Sequence, residues 1–533
     1  MSRVTINNIS WITPAGTKIF DNLTACFNSE ITALVGNNGL GKSTIARIIC
    51  GELSPASGSV LLEGKVKYLP QNQDAFKNRP VYSVLGVEKK YLAYGNIIRG
   101  TGDENSYLDL DEDWLITVSI ENALKQAGIE YIEPERNFDS LSGGEKIRVI
   151  IASLYIEDYD FIILDEPTNH LDFDGRRLII DFVKNFGKGI ILISHDRQLL
   201  DLAEKTIEIS NLGLTTYGGN YGFYCAQKEI ENEAAKNEIK SISADLKKNI
   251  LEKRTTVAKQ EKKIHTAGKK SVNLNMPTLE LHKRKGAGEN TLKKLNDIHD
   301  KRIDSSRDKL NEAKSRLRDD KKIIVDLEKA VAFKKKTLIR AENINYTYNG
   351  KSNLWKNNLS FAIQTGDRLV IKGRNGSGKS TLLKMIYLQL FPTTGLLYIG
   401  ADKVGFLDQH VSVLNNDLTV LDNLKLACAD EVPEHELRIR LGRFLFYKEE
   451  VFKTAGILSG GERLRAGLAL MLAVNNSPEL ILLDEPTNNL DLSAINELVS
   501  ALNDYKGGIL TVSHDICFTE DIGVTEEIDL DEI

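Results

Sequence analysis

Two glycine-rich loops share the pattern Gly-x-x-x-x-Gly-Lys-Ser: GNNGLGKST from Gly36 to Thr44 and GRNGSGKST from Gly373 to Thr381. Each follows a short apolar run (Ile31 to Val35; Leu369 to Ile371) and leads into a helical pattern, the context in which such loops hold nucleotide phosphates. Gly36, Gly39 and Gly41, with Gly373, Gly376 and Gly378, let backbone N–H groups close on phosphate oxygens without a side chain in the way. Asn37, Asn38 and Thr44, and in the second copy Arg374, Asn375 and Thr381, complete the two ATP-binding loops. Lys42 and Lys379 are expected to reach the β- and γ-phosphates, and Ser43 and Ser380 to ligate Mg²⁺.

The runs DFIILDE and ELILLDE end in paired carboxylates. Asp165 and Asp484 suit the field of Mg²⁺, and Glu166 and Glu485, one residue on, suit a base that polarises the attacking water. His195 and His514 each follow an apolar run, which places a neutral donor at a strand end near the γ-phosphate. In isolation an acid pair at a strand end is commonly a surface cap, and a lone histidine is more often structural. Here both recur, downstream of a phosphate loop each time.

That recurrence is a duplication. LSGGE at Leu141 to Glu145 returns at Leu458 to Glu462, LDEPTNHLD at Leu164 to Asp172 returns as LDEPTNNLD at Leu483 to Asp491, and SHD at Ser194 to Asp196 returns at Ser513 to Asp515. The copies lie 337 or 338 residues apart at the phosphate loops and at Gln71 and Gln409, but 317 to 319 apart at the later motifs. The first copy therefore holds about 20 extra residues, expected as an exposed loop around Tyr91 to Asp113. The spacing predicts an α/β chain of two P-loop nucleotide-binding domains, residues 1–224 and 337–533, joined by a linker over 225–336.

In the linker the apolar period changes to steps of three, four and seven. Ile239, Ile242, Leu246, Ile250, Val257 and Ile264 mark one helix, and Leu295, Ile298, Leu310, Ala313, Leu317, Ile324, Leu327 and Val331 a second. Gly268, Pro277, Gly286 and Gly288 predict a tip over 266–290, so the helices should fold back as an antiparallel hairpin or coiled coil. Arms of about 35 residues would reach roughly 50 Å. Lys269, Lys270, Lys283, Arg284 and Lys285 make the tip a candidate RNA- or ribosome-binding surface. Its apolar residues Val272, Leu274, Met276 and Leu279 would either intrude on a partner or pack the hairpin end.

The chain of 533 residues carries a net charge of -6, yet Cys225 to Arg340 holds 31 lysines and arginines against 18 acids, about +13. The flanks therefore share about -19. A basic block in an acidic chain is usually a solvated helix face, but one this large also suits a phosphate-rich partner. The apolar runs of four to six residues are too short to cross a membrane. The start MSRVTINNIS has neither the basic nor the apolar region of a secretory leader, so a cytoplasmic protein is expected. Five scattered cysteines without a CxxC pair read as reduced thiols.

LSGGE resembles the signature sequence of ATP-binding cassette (ABC) ATPases. With the phosphate loop, Gln71 or Gln409, LDEP and the switch histidine, it completes that family's set twice. The resemblance implies ATP and Mg²⁺ as cofactors, with Gln71 and Gln409 near the metal. It also implies a monomer whose two cassettes form a head-to-tail sandwich: Ser459, Gly460 and Gly461 would complete the site of Lys42, and Ser142, Gly143 and Gly144 that of Lys379. Tyr348 matches an adenine-stacking aromatic, while Trp11 matches less well and suits a core position equally.

Tandem cassettes, YGGNYGFY at Tyr217 to Tyr224 and the charged hairpin are similar to the ABC-F family over nearly the whole chain. Members are cytosolic ATPases that enter the exit (E) site of the 70S ribosome and send the linker toward P-site tRNA and the peptidyl-transferase centre, as translation factors or as antibiotic-resistance proteins. General translation factors of the family often carry a larger arm than these 20 residues, and the stretch after Thr519 is acidic where a basic extension is often found. An ABC-transporter ATPase subunit needs neither fused cassettes nor a hairpin. A DNA-repair ABC ATPase usually splits one cassette around a longer coil or adds zinc-binding cysteines.

Overall fold

ITALV, FIILD and GIILI, at Ile31–Val35, Phe161–Asp165 and Gly189–Ile193, are apolar throughout because parallel strands covered on both faces leave no side for polar residues. The computed structural model describes residues 2–70, 76–169, 171–210, 213–273, 278–316, 336–348, 350, 352–428, 432–472, 477–488 and 490–533, with backbone alone at 264–265, 267–273, 278–292 and 315–316. Gln71, Leu274, Met276, Leu317, Ile324, Leu327 and Val331 lie outside the described residues. The chain divides into two units, Met1–Gly222 with Lys321–Ile533, and Phe223–Asp320.

The first unit repeats one topology. A six-stranded sheet runs in the order Val66–Leu69, Phe161–Asp165, Gly189–Ile193, Ile31–Val35, Lys205–Ser210, Gly213–Gly218, parallel except at the last pair. The second half orders Val404–Leu407, Leu480–Asp484, Gly508–Val512, Arg368–Lys372 and Glu526–Asp529 in the same way, all parallel. Ile31 sits beside Ile190 in the first sheet and Leu369 beside Leu510 in the second. Each half adds a three-stranded antiparallel sheet, centred on Arg3–Ile12 and on Thr337–Asn345. Between the sheets lie the cores: Phe27, Ile45, Phe161 and Ile193 in the first half, and Leu338, Leu369, Leu382 and Leu510 in the second, all buried. Each such side chain contributes about 1.5–3 kcal/mol by leaving water.

The segment expected as a loop around Tyr91 to Asp113 is instead largely helical, over Glu88–Ile98 and Glu104–Leu110. Gly100, with φ of 73°, follows the first helix, and Asp103 starts the second by accepting from the Ser106 N–H at 2.9 Å while Ser106 returns the cap. The glycines and acids that read as loop are thus the punctuation of two helices.

The second unit contains the helix Tyr221–Asn273, of 53 residues, from Phe223 onward, and the helix Thr278–Arg316, of 39. At 1.5 Å per residue they extend about 80 and 60 Å, longer than the arms expected from the sequence. Asn249 donates to the Ser306 hydroxyl at 3.1 Å and Lys253 meets Asp300 at 2.6 Å, a falling register that makes the pair antiparallel. The expected tip contracts, because the backbone is helical up to Asn273 and again from Thr278, through Gly268, Gly286 and Gly288. A glycine costs a helix only about 1 kcal/mol, which the surrounding Lys, Leu and Ala residues offset. The second apolar stripe is also one residue out of place: His299 is buried, while Ile298 is 51% exposed.

Candidate functional site

Both phosphate loops leave the carboxyl end of a strand flanked on each side by parallel neighbours, where open α/β sheets gather ligands. Gly41 and Gly378 open the following helices with φ of 90° and 97°. A Cβ on Gly41 would meet the Phe20 ring at 2.8 Å, and one on Gly378 would meet Leu354 at 2.7 Å. Only glycine lets the loop press against that apolar wall and turn its N–H groups the other way. Lys42 Nζ donates to the Gly36 carbonyl at 2.7 Å, and Lys379 Nζ donates to the Gly373 and Arg374 carbonyls at 2.5 and 2.9 Å. The two ammonium groups are therefore stationed over the loops they serve.

Asp165 accepts from Tyr68 Oη at 2.9 Å, while its buried Oδ1 has no hydrogen-bond partner among the described residues. In the second half Asp484 accepts from Ser380 Oγ at 3.2 Å. A serine hydroxyl, a carboxylate with an unused oxygen and, beside the second pair, Gln409 make an all-oxygen donor set that fits Mg²⁺. Burial raises both aspartates above the usual carboxylate range, the state that a bound dication would reverse.

Glu166 and Glu485 adopt left-handed backbone, with φ of 50° and 47°. Each is held there by its own N–H, which donates to the strand alongside: to Ile193 O at 2.7 Å and to Val512 O at 2.9 Å. Such a conformation costs about 1–3 kcal/mol in a residue with a side chain, and it re-aims the carboxylate at the sheet's end. Oε1 of each glutamate lies 3.3 Å from Nε2 of its histidine, His195 or His514. Burial pushes the Glu166 carboxyl well up and that of Glu485 up to about 7. Burial, reinforced by Lys42 and Lys379, holds His195 down to about 3 and His514 down to about 4. The imidazoles are therefore neutral at pH 7, as the role of donor or acceptor requires. His195 Nε2 also lies 3.1 Å from Asn38 Oδ1, which links the switch to the phosphate loop.

The halves meet reciprocally. The Asn38 N–H donates to Asp491 Oδ2 at 3.1 Å, and the Asn375 N–H donates to Asp172 Oδ2 at 3.3 Å. Sequence reasoning quoted both aspartates in their motifs without assigning them a role. Their common 319-residue offset was the available signal. Around Lys379 a cleft of about 460 Å³ is lined by Tyr348, Ser380, Gln409, Asp484, Glu485 and His514, with Leu171 of the first half. Tyr348 is 63% exposed there and shares a 2.6 Å hydrogen bond with Thr381 Oγ1, whereas Trp11 packs on the first core. Ser142, Gly143 and Gly144 are not part of this lining. Ser142 and Glu145 cap the helix Gly143–Ser153 reciprocally, and Ser459 and Glu462 do the same for Gly460–Leu472. Lys269, Lys270, Lys283, Arg284 and Lys285 lie on helical backbone, their side chains outside the described residues.

A family profile described as ABC transporter matches residues 21–169 and 356–488. The chain is similar to the ATP-binding protein Uup of Escherichia coli, 29% identical over 97% of this chain and 78% of that protein. It is likewise 29% identical to ABC transporter F family member 5 of Arabidopsis thaliana, over 92% of this chain and 70% of that one. In fold it matches an archaeal ribosome recycling factor, solved in complex with a ribosomal stalk protein, with a TM-score of 0.57 at 19% identity over 98% of this chain and 87% of that one. The chain belongs to the ATP-binding cassette family and is an ATPase that uses ATP with Mg²⁺.

Replacing both Glu166 and Glu485 by Gln retains shape but removes the water-polarising carboxylates. Steady-state phosphate release should fall about 10²- to 10⁴-fold, and radiolabelled ATP should remain occluded through gel filtration. A parental rate in the double variant would refute the assignment.

The buried histidines carry a second prediction. Below pH 6.5 the unfolded chain protonates imidazoles that the folded chain keeps neutral until about pH 3 and 4, so they subtract stability as pH falls. The raised glutamates act in the opposite sense over the window above their ordinary value near 4.5. His195→Gln with His514→Gln should therefore gain stability relative to the parent as pH falls from 6.5 to 4.5, by at most about 1.4 kcal/mol per pH unit for each site. Urea unfolding across that range checks the sign.

Proposed function

Because the chain belongs to the ATP-binding cassette family, and within it to the tandem-cassette ABC-F type, we propose that it is a cytosolic ATPase that acts on the 70S ribosome. It binds the E site and directs its linker toward P-site tRNA and the peptidyl-transferase centre, either to protect against a ribosome-targeting antibiotic or to modulate translation. The observation that carries this reading is the long antiparallel helix pair inserted between two complete cassettes, in a stretch holding about +13 of a chain that is otherwise acidic. No helix among the described residues is long and apolar enough to cross a membrane. RNA phosphates would repel the acidic cassettes and attract the linker.

In this proposal ATP binds with its phosphates on the loops at Gly36 and Gly373, and Lys42 and Lys379 turn from their carbonyls to the β- and γ-oxygens. Ser43 with Asp165, and Ser380 with Asp484, with Gln71 and Gln409 nearby, would hold Mg²⁺, which would supply positive charge against the phosphates. Glu166 and Glu485 polarise the water, and His195 and His514 sense the γ-phosphate. Closure brings Ser459 to Gly461, and Ser142 to Gly144, against the opposite nucleotide, so ATP favours the closed sandwich and hydrolysis releases it. The linker moves with that cycle.

Ribosome binding of this kind weakens linearly in log[salt], with a slope of roughly 0.7–0.9 per phosphate contact. Changing the exposed Lys247, Lys293, Lys294 and Lys301 to Glu should lower co-sedimentation of the ATP-trapped protein with 70S ribosomes and flatten the salt dependence, while ribosome-free ATPase activity is unchanged. Unchanged affinity and slope would reduce the linker to a spacer. Removing residues from the 266–290 segment in matched pairs, so that both helices stay in register, should leave ATPase activity and co-sedimentation intact but abolish drug tolerance or translational rescue. Full activity in both assays would refute the lever role.

A further inference from the structure

The two strand-end aspartates are held differently. Tyr68, in the strand Val66–Leu69, lies opposite Ile163 of the parallel neighbour Phe161–Asp165. Residues two apart share a face of a strand, so Tyr68, Ile163 and Asp165 stand on one side of the sheet and the phenol runs along it to the strand end. Its hydroxyl donates to Asp165 Oδ2 at 2.9 Å. Asp165 is 1% exposed, and Oδ1, the oxygen that Tyr68 leaves, is buried without a hydrogen-bond partner among the described residues.

The second half repeats the register without the hydroxyl. Phe406 stands at the 338-residue offset shared by Gln71 and Gln409, opposite Leu482 of the strand Leu480–Asp484. A phenyl ring has no donor to give, and this one packs against the Tyr387 ring with centroids 5.2 Å apart. Asp484 accepts from Ser380 Oγ at 3.2 Å, a hydroxyl that is itself a candidate metal donor. The terminal torsion of an aspartate is broad, so a carboxylate turns readily unless a fixed group engages one of its oxygens. Outer partners that orient a ligand in this way change metal affinity about 10- to 100-fold when removed.

We propose that Tyr68 is a positioning residue for the first ATP site, holding the Asp165 carboxylate by Oδ2 and leaving Oδ1 for a divalent cation, and that the second site, with Phe406, lacks this hold. The sites are then unequal by construction. The first takes Mg²⁺ more tightly, so at limiting Mg²⁺ it is loaded while the second waits. The inference rests on the assignment of Mg²⁺ to Asp165 and Asp484, and it stands whatever the partner of the linker.

Mn²⁺ is the probe that tests it, with free ion counted by electron paramagnetic resonance in protein loaded with AMP-PNP. Asp484→Asn leaves the first site to be read, and Asp165→Asn the second. Tyr68→Phe should weaken Mn²⁺ binding about tenfold in the Asp484→Asn background and by less than about twofold in the Asp165→Asn background. Phe406→Tyr should tighten it about threefold or more in the Asp165→Asn background. Turnover gives a second readout. With Glu485→Gln silencing the second site, Tyr68→Phe should raise the half-saturating Mg²⁺ about tenfold while kcat at saturating Mg²⁺ stays within about twofold. Phenylalanine is the second half's own residue at this position, so packing is kept and the metal-free thermal midpoint should match the parent. If Asp165→Asn alone leaves Mn²⁺ binding at parental strength, the metal assignment fails and the inference with it. If Asp165→Asn weakens binding but Tyr68→Phe does not, or does so equally in both backgrounds, the metal assignment stands and the role of Tyr68 is overturned. A second site that Phe406→Tyr leaves unmoved overturns the inequality of the sites.

Discussion

Each phosphate loop is tied by one backbone N–H to a carboxylate of the opposite half: Asn38 to Asp491, and Asn375 to Asp172. Those aspartates also begin the helices Leu492–Asp504 and Phe173–Asn185, each accepting a helix-end N–H at about 3 Å. One carboxyl group thus serves two masters, fixing the end of its own helix with one oxygen and the neighbour's phosphate loop with the other. In the first half His195 Nε2 lies 3.1 Å from Asn38 Oδ1 and 3.3 Å from Glu166 Oε1, so the switch histidine and its glutamate adjoin the tied loop. A shift of either half relative to the other must disturb both nucleotide sites together.

Burial does the remaining work. The strand ends carry Asp165, Glu166, Asp484 and Glu485 into surroundings with little water, and the cost appears as carboxyls raised and imidazoles lowered from their ordinary values. A glutamate whose carboxyl is raised by burial, beside a neutral imidazole, is a resting arrangement. Substrate phosphates with their metal would change the field that sets it, so proton position and nucleotide occupancy are coupled by the geometry. The left-handed backbone at both glutamates holds that arrangement in strained form.

Duplication produced two copies of this machinery, but the copies are not electrostatically alike. Tyr68 gives Asp165 a hydroxyl donor that Phe406 cannot give Asp484, and the arginines at 176 and 197 are replaced by isoleucines at the equivalent positions 495 and 516. The same motif strings therefore sit in different fields. Between the copies, the linker is built from helices that tolerate glycine, with its polar and apolar positions set by packing and not by composition.

Much of this was legible in the residues alone. The loops at Gly36 and Gly373, the acid pairs, the switch histidines and the duplication are local strings whose chemistry depends on spacing within a few residues, and local spacing survives folding unchanged. The parallel sheets were legible for the same reason, because a strand buried on both faces must be apolar throughout. What lay beyond reach depended on neighbours distant in the chain. The helices in the segment around Tyr91 to Asp113 and the contraction of the tip were decided by packing and capping against a weak glycine penalty. The exchange of Ile298 for His299 in the buried stripe was decided by which face the second helix turned inward. Above all, the pairing of Asp172 with Asn375, and that of Arg197 with Asp521, join residues 203 and 324 positions apart. Only the docking of one half on the other brings those charges together, and no periodicity along the chain records it.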